Sequence, residues 1–327
     1  MLPEATALER QITSQAEQLE AVLAEPLPTS AAERLRDASR IWLVGTGTSQ
    51  HAAELGAQML EQAGRDARAM SSMAFANRPP FARGDGVILI SHNAGAETSF
   101  AGASWTAATR AGLPVVPVTR RGGSLPDAIE TVEKETSHTY TASYTAALVQ
   151  LARLAHELGA EAFSAGALER VPGAVRAGVD DPRTEGIARP ERLLVLTGEG
   201  PAAVTAREGA LKVREAARFP AEGYDVEYLL HGHAVPLDAS DHLVTLAPPD
   251  TQGLTAGVEH AARGAGIPVT RIDEPADLPS PLEQIPLTVR LQALALRYAL
   301  ERGQNPDVAI EGPWDDPELW AIGSPGS

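Results

Sequence analysis

Three ionisable residues at helical spacing are the part of this sequence best suited to acid–base chemistry. Glu208, Lys212 and Glu215 occupy positions i, i+4 and i+7 of the segment REGALKVREAA, so a helix would place them on one face. Two carboxylates beside an ammonium group can hold and move a proton, but the same spacing also fits an ion pair on a solvated helix face. The scarcity of lysine favours a chemical role for Lys212. Lys134 and Lys212 are the two lysines of the chain, and a chain that otherwise uses arginine is expected to keep a lysine where arginine would not serve.

A second stretch has the composition of an anion-binding turn. The apolar run IWLV leads into GTGTS at 45–49, which predicts a strand, a tight turn and the start of a helix. Backbone N–H groups at a helix start, together with the hydroxyls of Thr48 and Ser49, suit a phosphate, although a capped helix that binds nothing has the same pattern. A dinucleotide turn would need glycine at Gln50, and a Walker A loop would need a lysine here. A monophosphate held at Gly47, Thr48 and Ser49 is the remaining ligand.

A third stretch, LISHNAGAETSF at 89–100, follows another buried strand. Its short polar side chains surround flexible glycine, and they include Ser91, His92, Asn93 and Thr98. Because parallel strands end at a common edge, we expect this loop to lie beside the 45–49 turn, in the crevice where α/β sheets bind ligands. The two loops would then form a phosphate-binding site that contains no lysine or arginine.

Apolar runs bounded by glycine and proline alternate with helical patterns along most of the chain. Strands are expected at 41–45, 67–70, 86–91 and 114–119, and a long helix at about 138–158. A single helix is expected over 5–25, followed by a short helix capped by Ser30. The second half repeats landmarks of the first. Gly45-x-Gly47 matches Gly198-x-Gly200, and RAGLPVVPVT matches RGAGIPVTRI at nearly the same distance along the chain. The sequence therefore predicts an internal duplication of an α/β unit.

Composition excludes several classes of function. The formal net charge of −16 argues against nucleic acid or an anionic membrane surface as a partner. The absence of cysteine removes disulfides, thiolate metal sites and cysteine nucleophiles. The N-terminal segment lacks the pattern of a signal peptide, and no run is apolar enough to span a bilayer, so a cytoplasmic location is expected. We expect no metal site and no cofactor.

These motifs together resemble the sugar isomerase (SIS) domains, and above all the tandem isomerase half of glutamine:fructose-6-phosphate amidotransferase. GTGTSQHAA and LISHNAGAET are similar to the two phosphate loops of that family, and ETSHTYTASYTAALVQLARL to the segment before its long helix. REGALKVREAARFPAEGYDVEYLLHGHAVPLD at 207–238 is the most specific match. The resemblance runs from about residue 5 to 307 and implies two tandem three-layer αβα sandwiches with mainly parallel sheets.

The same resemblance implies residue roles. Glu215 matches the carboxylate that moves a proton between C1 and C2 of a sugar phosphate, and Lys212 a lysine that stabilises the developing negative charge, with Glu208 on the same face. His231 matches a histidine assigned to sugar ring opening that reaches the neighbouring subunit's site, which implies a homodimer. The implied boundaries are an N-terminal arm at 1–30, SIS domains at 31–164 and 191–305, a linker at 165–190, and a tail at 306–327.

The chain also departs from the family pattern. The glutaminase domain of that enzyme and its cysteine have no counterpart in these residues, so we expect no glutamine amidotransfer by this chain. The tail after Asp307 has no lysine to form a Schiff base, and the second loop is longer, with His92 and Asn93 where glutamine and serine are usual. An isomerase, deaminase or deglycase acting on a hexose or amino-hexose 6-phosphate through an enediol or imine is expected. The alternative is a non-catalytic sugar-phosphate sensor.

Overall fold

The computed structural model describes residues 5–93 and 99–322, and within these ranges the chain forms nine β-strands in two parallel sheets. The strands are β1 Ile41–Gly45, β2 Ala67–Ser71, β3 Gly86–Ile90, β4 Val115–Thr119, β5 Ile129–Glu130, β6 Leu194–Gly198, β7 Ala221–Asp225, β8 His242–Ala247 and β9 Val269–Asp273. Their order is β2-β1-β3-β4-β5 in the first sheet and β7-β6-β8-β9 in the second. The predicted α/β class with parallel sheets is confirmed.

Helices connect most of the strands, as is usual for parallel pairing, whereas β4 and β5 are joined by residues 120–128 without a helix. They are α1 Ala7–Thr13, α2 Gln15–Ala24, α3 Thr29–Leu35, α4 Thr48–Gln62, α5 Ser72–Asn77, α6 Ser99–Arg110, α7 Ala142–Glu157, α8 Ala165–Glu169, α9 Val171–Asp180, α10 Pro201–Ala217, α11 Val226–Tyr228, α12 Leu254–Gly264, α13 Gln284–Glu301 and α14 Pro317–Ala321. Short 3-10 turns cover Glu161–Phe163 and Gly312–Trp314, and a π-type turn covers Leu229–His233.

The first sheet is covered by helices on both faces because its strands alternate their side chains. In β1, Leu43 faces α4 and α7, where Gly56 of α4 leaves room for Leu151 of α7. The next residue, Val44, faces the opposite way and packs in a cluster with Phe75 and residues of α6. This arrangement buries β1 and β3 on both faces and leaves their ends for ligands.

The second sheet is layered in the same way. Leu196 of β6 faces α10 and α13, where Gly209 of α10 lies against Leu291 of α13. Its neighbour Val195 packs on the other face with residues of α12 such as Val258. In each sheet the first strand along the chain lies between the second and the third, as β2-β1-β3 and β7-β6-β8. This shared order supports the predicted duplication, which itself stays a prediction.

The chain divides into two compact units, each containing one sheet. The N-terminal-sheet unit comprises Glu17–Glu135, Ala142–Arg170 and Ile310–Ser327, and the C-terminal-sheet unit comprises Met1–Ala16, Thr136–Thr141 and Val171–Ala309. The domain boundaries predicted from the sequence stay a prediction.

Two local expectations at the N-terminus were wrong. The helix expected over 5–25 is broken at Ser14, where the hydroxyls of Thr13 and Ser14 donate to carbonyls of the preceding turn and compete with the helical pattern. Ser30 does not cap the next helix, because that helix already begins at Thr29, directly after Pro28, whose carbonyl accepts from Ala31 N–H.

Candidate functional site

The 45–49 turn is a strand-to-helix connection that only glycine permits at two positions. A Cβ on Gly45 would lie 2.3 Å from the carbonyl oxygen of Ser49, so a side chain there would block the first turn of α4. Gly47 precedes α4 with φ 56° and ψ −126°, in the left-handed region of φ that favours glycine. Thr48 and Ser49 therefore stand in the first turn of α4, at the carboxyl end of β1, as predicted.

The second loop leaves the sheet beside the first. β1 and β3 are parallel neighbours with Val44 opposite Leu89, and Ser91 extends β3 by donating its N–H to Val118 O at 3.0 Å. The chain proceeds from β1 to β2 on one side and to β3 on the other, so the crevice between β1 and β3 is the topological switch point of the sheet. Ser91, His92 and Asn93 follow at this edge, whereas Thr98 lies outside the described residues.

Sequence reasoning missed a third contributor to this edge, the serine pair Ser71 and Ser72 where β2 ends. Ser72 is buried, and its hydroxyl forms a short hydrogen bond with the Thr46 hydroxyl inside the turn. Ser71 caps α5 by accepting from Ala74 N–H. Two adjacent serines at the end of a predicted strand were the available signal, and one of them, Ser72, links the end of β2 to the 45–49 turn.

His92 is held from two directions in the second loop. Its carbonyl accepts from Arg120 N–H at 3.4 Å, and its imidazole Nε2 lies 3.1 Å from the backbone nitrogen of Glu135. Burial lowers the pKa of His92, and the nearby charges of Arg120 and Lys134 lower it further, while the Glu135 carboxylate opposes them. Every described residue of the predicted phosphate site belongs to the N-terminal-sheet unit.

The predicted acid–base residues form a cluster on α10, in the C-terminal-sheet unit. The Lys212 Nζ atom lies 2.5 Å from Glu215 Oε2 and 3.4 Å from Glu208 Oε1. The side chains of Lys212 and Glu208 are 0% exposed, whereas that of Glu215 is 25% exposed. Glu215 is thus the member of the cluster that can contact a substrate, while Lys212 holds it by charge and hydrogen bond. A solvated helix face is excluded.

His231 lies in a different element from this cluster, the turn Leu229–His233 after α11. It is exposed and lines an open cleft of about 640 Å³ together with Tyr224, Tyr228 and Arg207 of α10. The neighbouring His233 stacks on Tyr224 with ring centroids 4.4 Å apart. The structure therefore brings Glu208, Lys212 and Glu215 together and places His231 at the surface of its own chain.

Over residues 5–93 and 99–322, no group of three or more histidine, aspartate or glutamate side chains is arranged to hold a metal ion. In the same part of the chain, no helix has the length and apolar character needed to cross a membrane.

Known proteins resemble this chain in sequence and in fold. No family model matches the chain. The curated glutamine–fructose-6-phosphate aminotransferase (isomerizing) of Gloeobacter violaceus is 29% identical over 309 residues, which cover 83% of this chain and 50% of that protein. The chain thus spans about half the length of this relative.

Two solved structures share the fold over nearly the whole chain. Tagatose-6-phosphate ketose/aldose isomerase from Escherichia coli superposes with a TM-score of 0.80 at 20% identity, covering 96% of this chain and 100% of that one. Glucosamine-6-phosphate deaminase from Thermotoga maritima gives a TM-score of 0.75 at 18% identity, covering 92% and 97%. At such identities these likenesses establish the fold, and they show that this chain has the architecture of known phosphosugar isomerases and deaminases.

Proposed function

We propose that this chain is a phosphosugar isomerase-type enzyme that acts on a hexose or amino-hexose 6-phosphate by proton transfer through an enediol or imine. The observation that carries the proposal is the Glu208–Lys212–Glu215 cluster, in which a buried lysine holds a partly exposed carboxylate at 2.5 Å. A carboxylate fixed in this way is suited to take a proton from one carbon and return it to the next. The similarity to an isomerizing aminotransferase and the fold shared with two sugar-phosphate enzymes support the same class.

The burial of the cluster refines the roles within this proposal. Glu215 is the base that contacts substrate, and Lys212 is a positioning residue that fixes its carboxylate and offsets negative charge formed nearby. Glu208, fully buried, balances the charge of Lys212 from the other side. The loops at 45–49 and 91–93 bind the phosphate through hydroxyls and backbone N–H groups.

His231 is assigned to opening of the sugar ring, and its exposed position supports the proposal that it serves a neighbouring copy of the chain in a homodimer. We place the enzyme in the cytoplasm, without a cofactor or metal ion. Transfer of ammonia from glutamine is not part of the proposal.

A non-catalytic sugar-phosphate sensor is the alternative, favoured by the lysine-free sequence after Asp307. Such a protein would bind the same ligands through the same loops, but it would exchange no carbon-bound hydrogen. Catalysis rather than binding therefore distinguishes the two functions.

The test measures exchange of the C1 and C2 hydrogens with solvent deuterium by NMR, for a panel of hexose and amino-hexose 6-phosphates. We expect exchange with at least one sugar, a loss of 100-fold or more (about 3 kcal/mol) in Glu215→Gln, and unchanged exchange in Glu61→Gln, which alters an exposed glutamate of α4. Ligand binding without exchange would identify a sensor. Full exchange in Glu215→Gln would reject the assigned base.

A further inference from the structure

The turn that carries His231 is held at its two ends and exposed in between. Leu229, the first residue of the turn, is buried in the apolar cluster that packs on the second sheet. The next three residues, with His231 in the middle, are exposed. The backbone closes the turn with a hydrogen bond from Ala234 N–H to Leu229 O at 2.9 Å. Because the exposed residues lie in solvent, the position of His231 depends on how the two ends are held.

A glycine with positive φ separates the two histidines of this turn. Gly232 has φ 112° and ψ −23°, in the left-handed region that favours glycine. The chain changes direction at this residue, so that His231 lines the open cleft while His233 lies against the tyrosine rings. The two imidazoles have different surroundings, but one short piece of backbone joins them.

Two tyrosines hold His233 at the end of the turn. Its imidazole stacks on Tyr224, with ring centroids 4.4 Å apart and planes inclined by 27°, and it lies 4.7 Å from the ring of Tyr228. Burial and the neighbouring Glu222 carboxylate raise the pKa of Tyr224 to about 12, so its hydroxyl keeps the proton that it donates to Glu222. Ring contacts of this kind stabilise a structure beyond the area that they bury. The end of the turn is therefore held against β7 by Tyr224 and against α11 by Tyr228.

We propose that His233 is a positioning residue for His231, and that its contacts with Tyr224 and Tyr228 fix the turn so that the His231 imidazole meets the sugar ring. The inference rests on the proposed function, in which His231 opens that ring. Opening breaks the bond between the anomeric carbon and the ring oxygen. The anomeric hydroxyl gives up its proton as the carbonyl forms, and the ring oxygen takes up a proton. An imidazole can serve both transfers only within hydrogen-bond distance of these oxygens, so a displaced turn would slow the step.

The first test examines the turn in the ligand-free protein through hydrogen exchange of the Ala234 amide, which donates across the turn. His233→Ala removes both ring contacts and should speed this exchange by about fivefold or more. His233→Phe keeps a ring against the tyrosines and should stay within about twofold of the wild type. His260→Ala, at an exposed histidine of α12, is the control and should change nothing. Unchanged exchange in His233→Ala would overturn the positioning role.

The second test separates ring opening from the later proton transfer. It compares fructose 6-phosphate, which closes a ring, with 5-deoxyfructose 6-phosphate, which lacks the hydroxyl that closes it, by the rate of deuterium exchange at C1. His233→Ala should lose about fivefold or more with the ring-forming sugar and less than about twofold with the open-chain sugar, and His233→Phe should recover the loss. Equal losses with the two sugars would refute the positioning of a ring-opening group, since a general structural defect affects both.

A double variant shows whether His233 acts through His231. His231→Ala combined with His233→Ala should exchange fructose 6-phosphate within about twofold of His231→Ala alone, because the second change then has no imidazole left to displace. A further loss of about fivefold in the double variant would overturn the link between the two histidines. Absence of exchange with both sugars in the wild type would refute the ring-opening role together with the proposed function for this substrate, while the Ala234 amide would still decide whether His233 holds the turn.

Discussion

Replacing Lys212 by methionine should destabilise the C-terminal-sheet unit, because it leaves the fully buried Glu208 carboxylate without its cation. At an effective dielectric constant of about 20, the attraction across 3.4 Å to Glu208 is about 5 kcal/mol, and that across 2.5 Å to Glu215 about 7 kcal/mol. The cost of removing three charges from water offsets most of this attraction. Since the loss of one partner of a buried pair typically costs about 3–5 kcal/mol, we expect Lys212→Met to lower the free energy of unfolding by that amount.

Urea unfolding followed by circular dichroism measures this change, and hydrogen exchange of the α10 amides localises it. Lys134→Met is the matched control, since it removes the other lysine from an exposed position and should change stability by less than about 0.5 kcal/mol. The double variant Glu208→Gln with Lys212→Met should be more stable than Lys212→Met alone, because it no longer buries a carboxylate that has lost its ion pair with Lys212. A loss of less than about 1 kcal/mol in Lys212→Met would refute the electrostatic account of the cluster.

Two further predictions concern the turn and the core. Gly47→Ala and Gly64→Ala each place a side chain in open space at positive φ, so each should lower the free energy of unfolding by about 1–2 kcal/mol. Only Gly47→Ala should weaken phosphate binding in calorimetry. Equal binding by both variants would remove the 45–49 turn from the site. Arg290→Met breaks a buried pair with Glu274 at 2.9 Å and should cost about 3–5 kcal/mol in urea unfolding. Arg263→Met should cost less than about 1 kcal/mol, because Arg263 is 53% exposed and its partner Glu259 keeps an ion pair with Arg271. Similar losses in the two variants would contradict this ranking.

The sequence predicted best those elements whose signal is local. The strands expected at 41–45, 86–91 and 114–119 differ from β1, β3 and β4 by one residue or less at each end, because a short apolar run flanked by glycine or proline can satisfy both faces of a buried strand. The N-terminal helix was predicted less well, since backward hydrogen bonds from Thr13 and Ser14 compete with a pattern that is helical by periodicity.

The candidate site, too, was predicted only as far as its signal is local in the sequence. The spacing of Glu208, Lys212 and Glu215 predicted a shared helix face, but it could not predict that two of the side chains are fully buried and the third is not. That difference depends on the tertiary packing of α10, including the close approach of Leu291, far away in the sequence, at Gly209. The link from His92 to Glu135 likewise joins residues with no local pattern in common.

The two glycine turns show why a backbone motif alone does not define a ligand. Gly200, with φ 50° and ψ −114°, repeats the conformation of Gly47 at the start of its helix. The second turn, however, has Glu199 between its glycines and Pro201 with Ala202 at the helix start, so the hydroxyls are missing. The Glu199 carboxylate accepts from the N–H and hydroxyl of Thr251, both at 2.9 Å, and places negative charge where the first turn has Thr46.

This exchange of side chains makes the second turn unfavourable for a phosphate even though its backbone is preserved. In the C-terminal-sheet unit, chemistry is instead expected at the far end of the helix that the turn begins. Glu215 lies about 20 Å along the α10 axis from Pro201, away from the carboxyl ends of the strands of its own sheet. Two sheets of one architecture are thereby suited to different tasks, since the first has hydroxyls at its glycine turn and the second has an acid–base cluster near the end of α10.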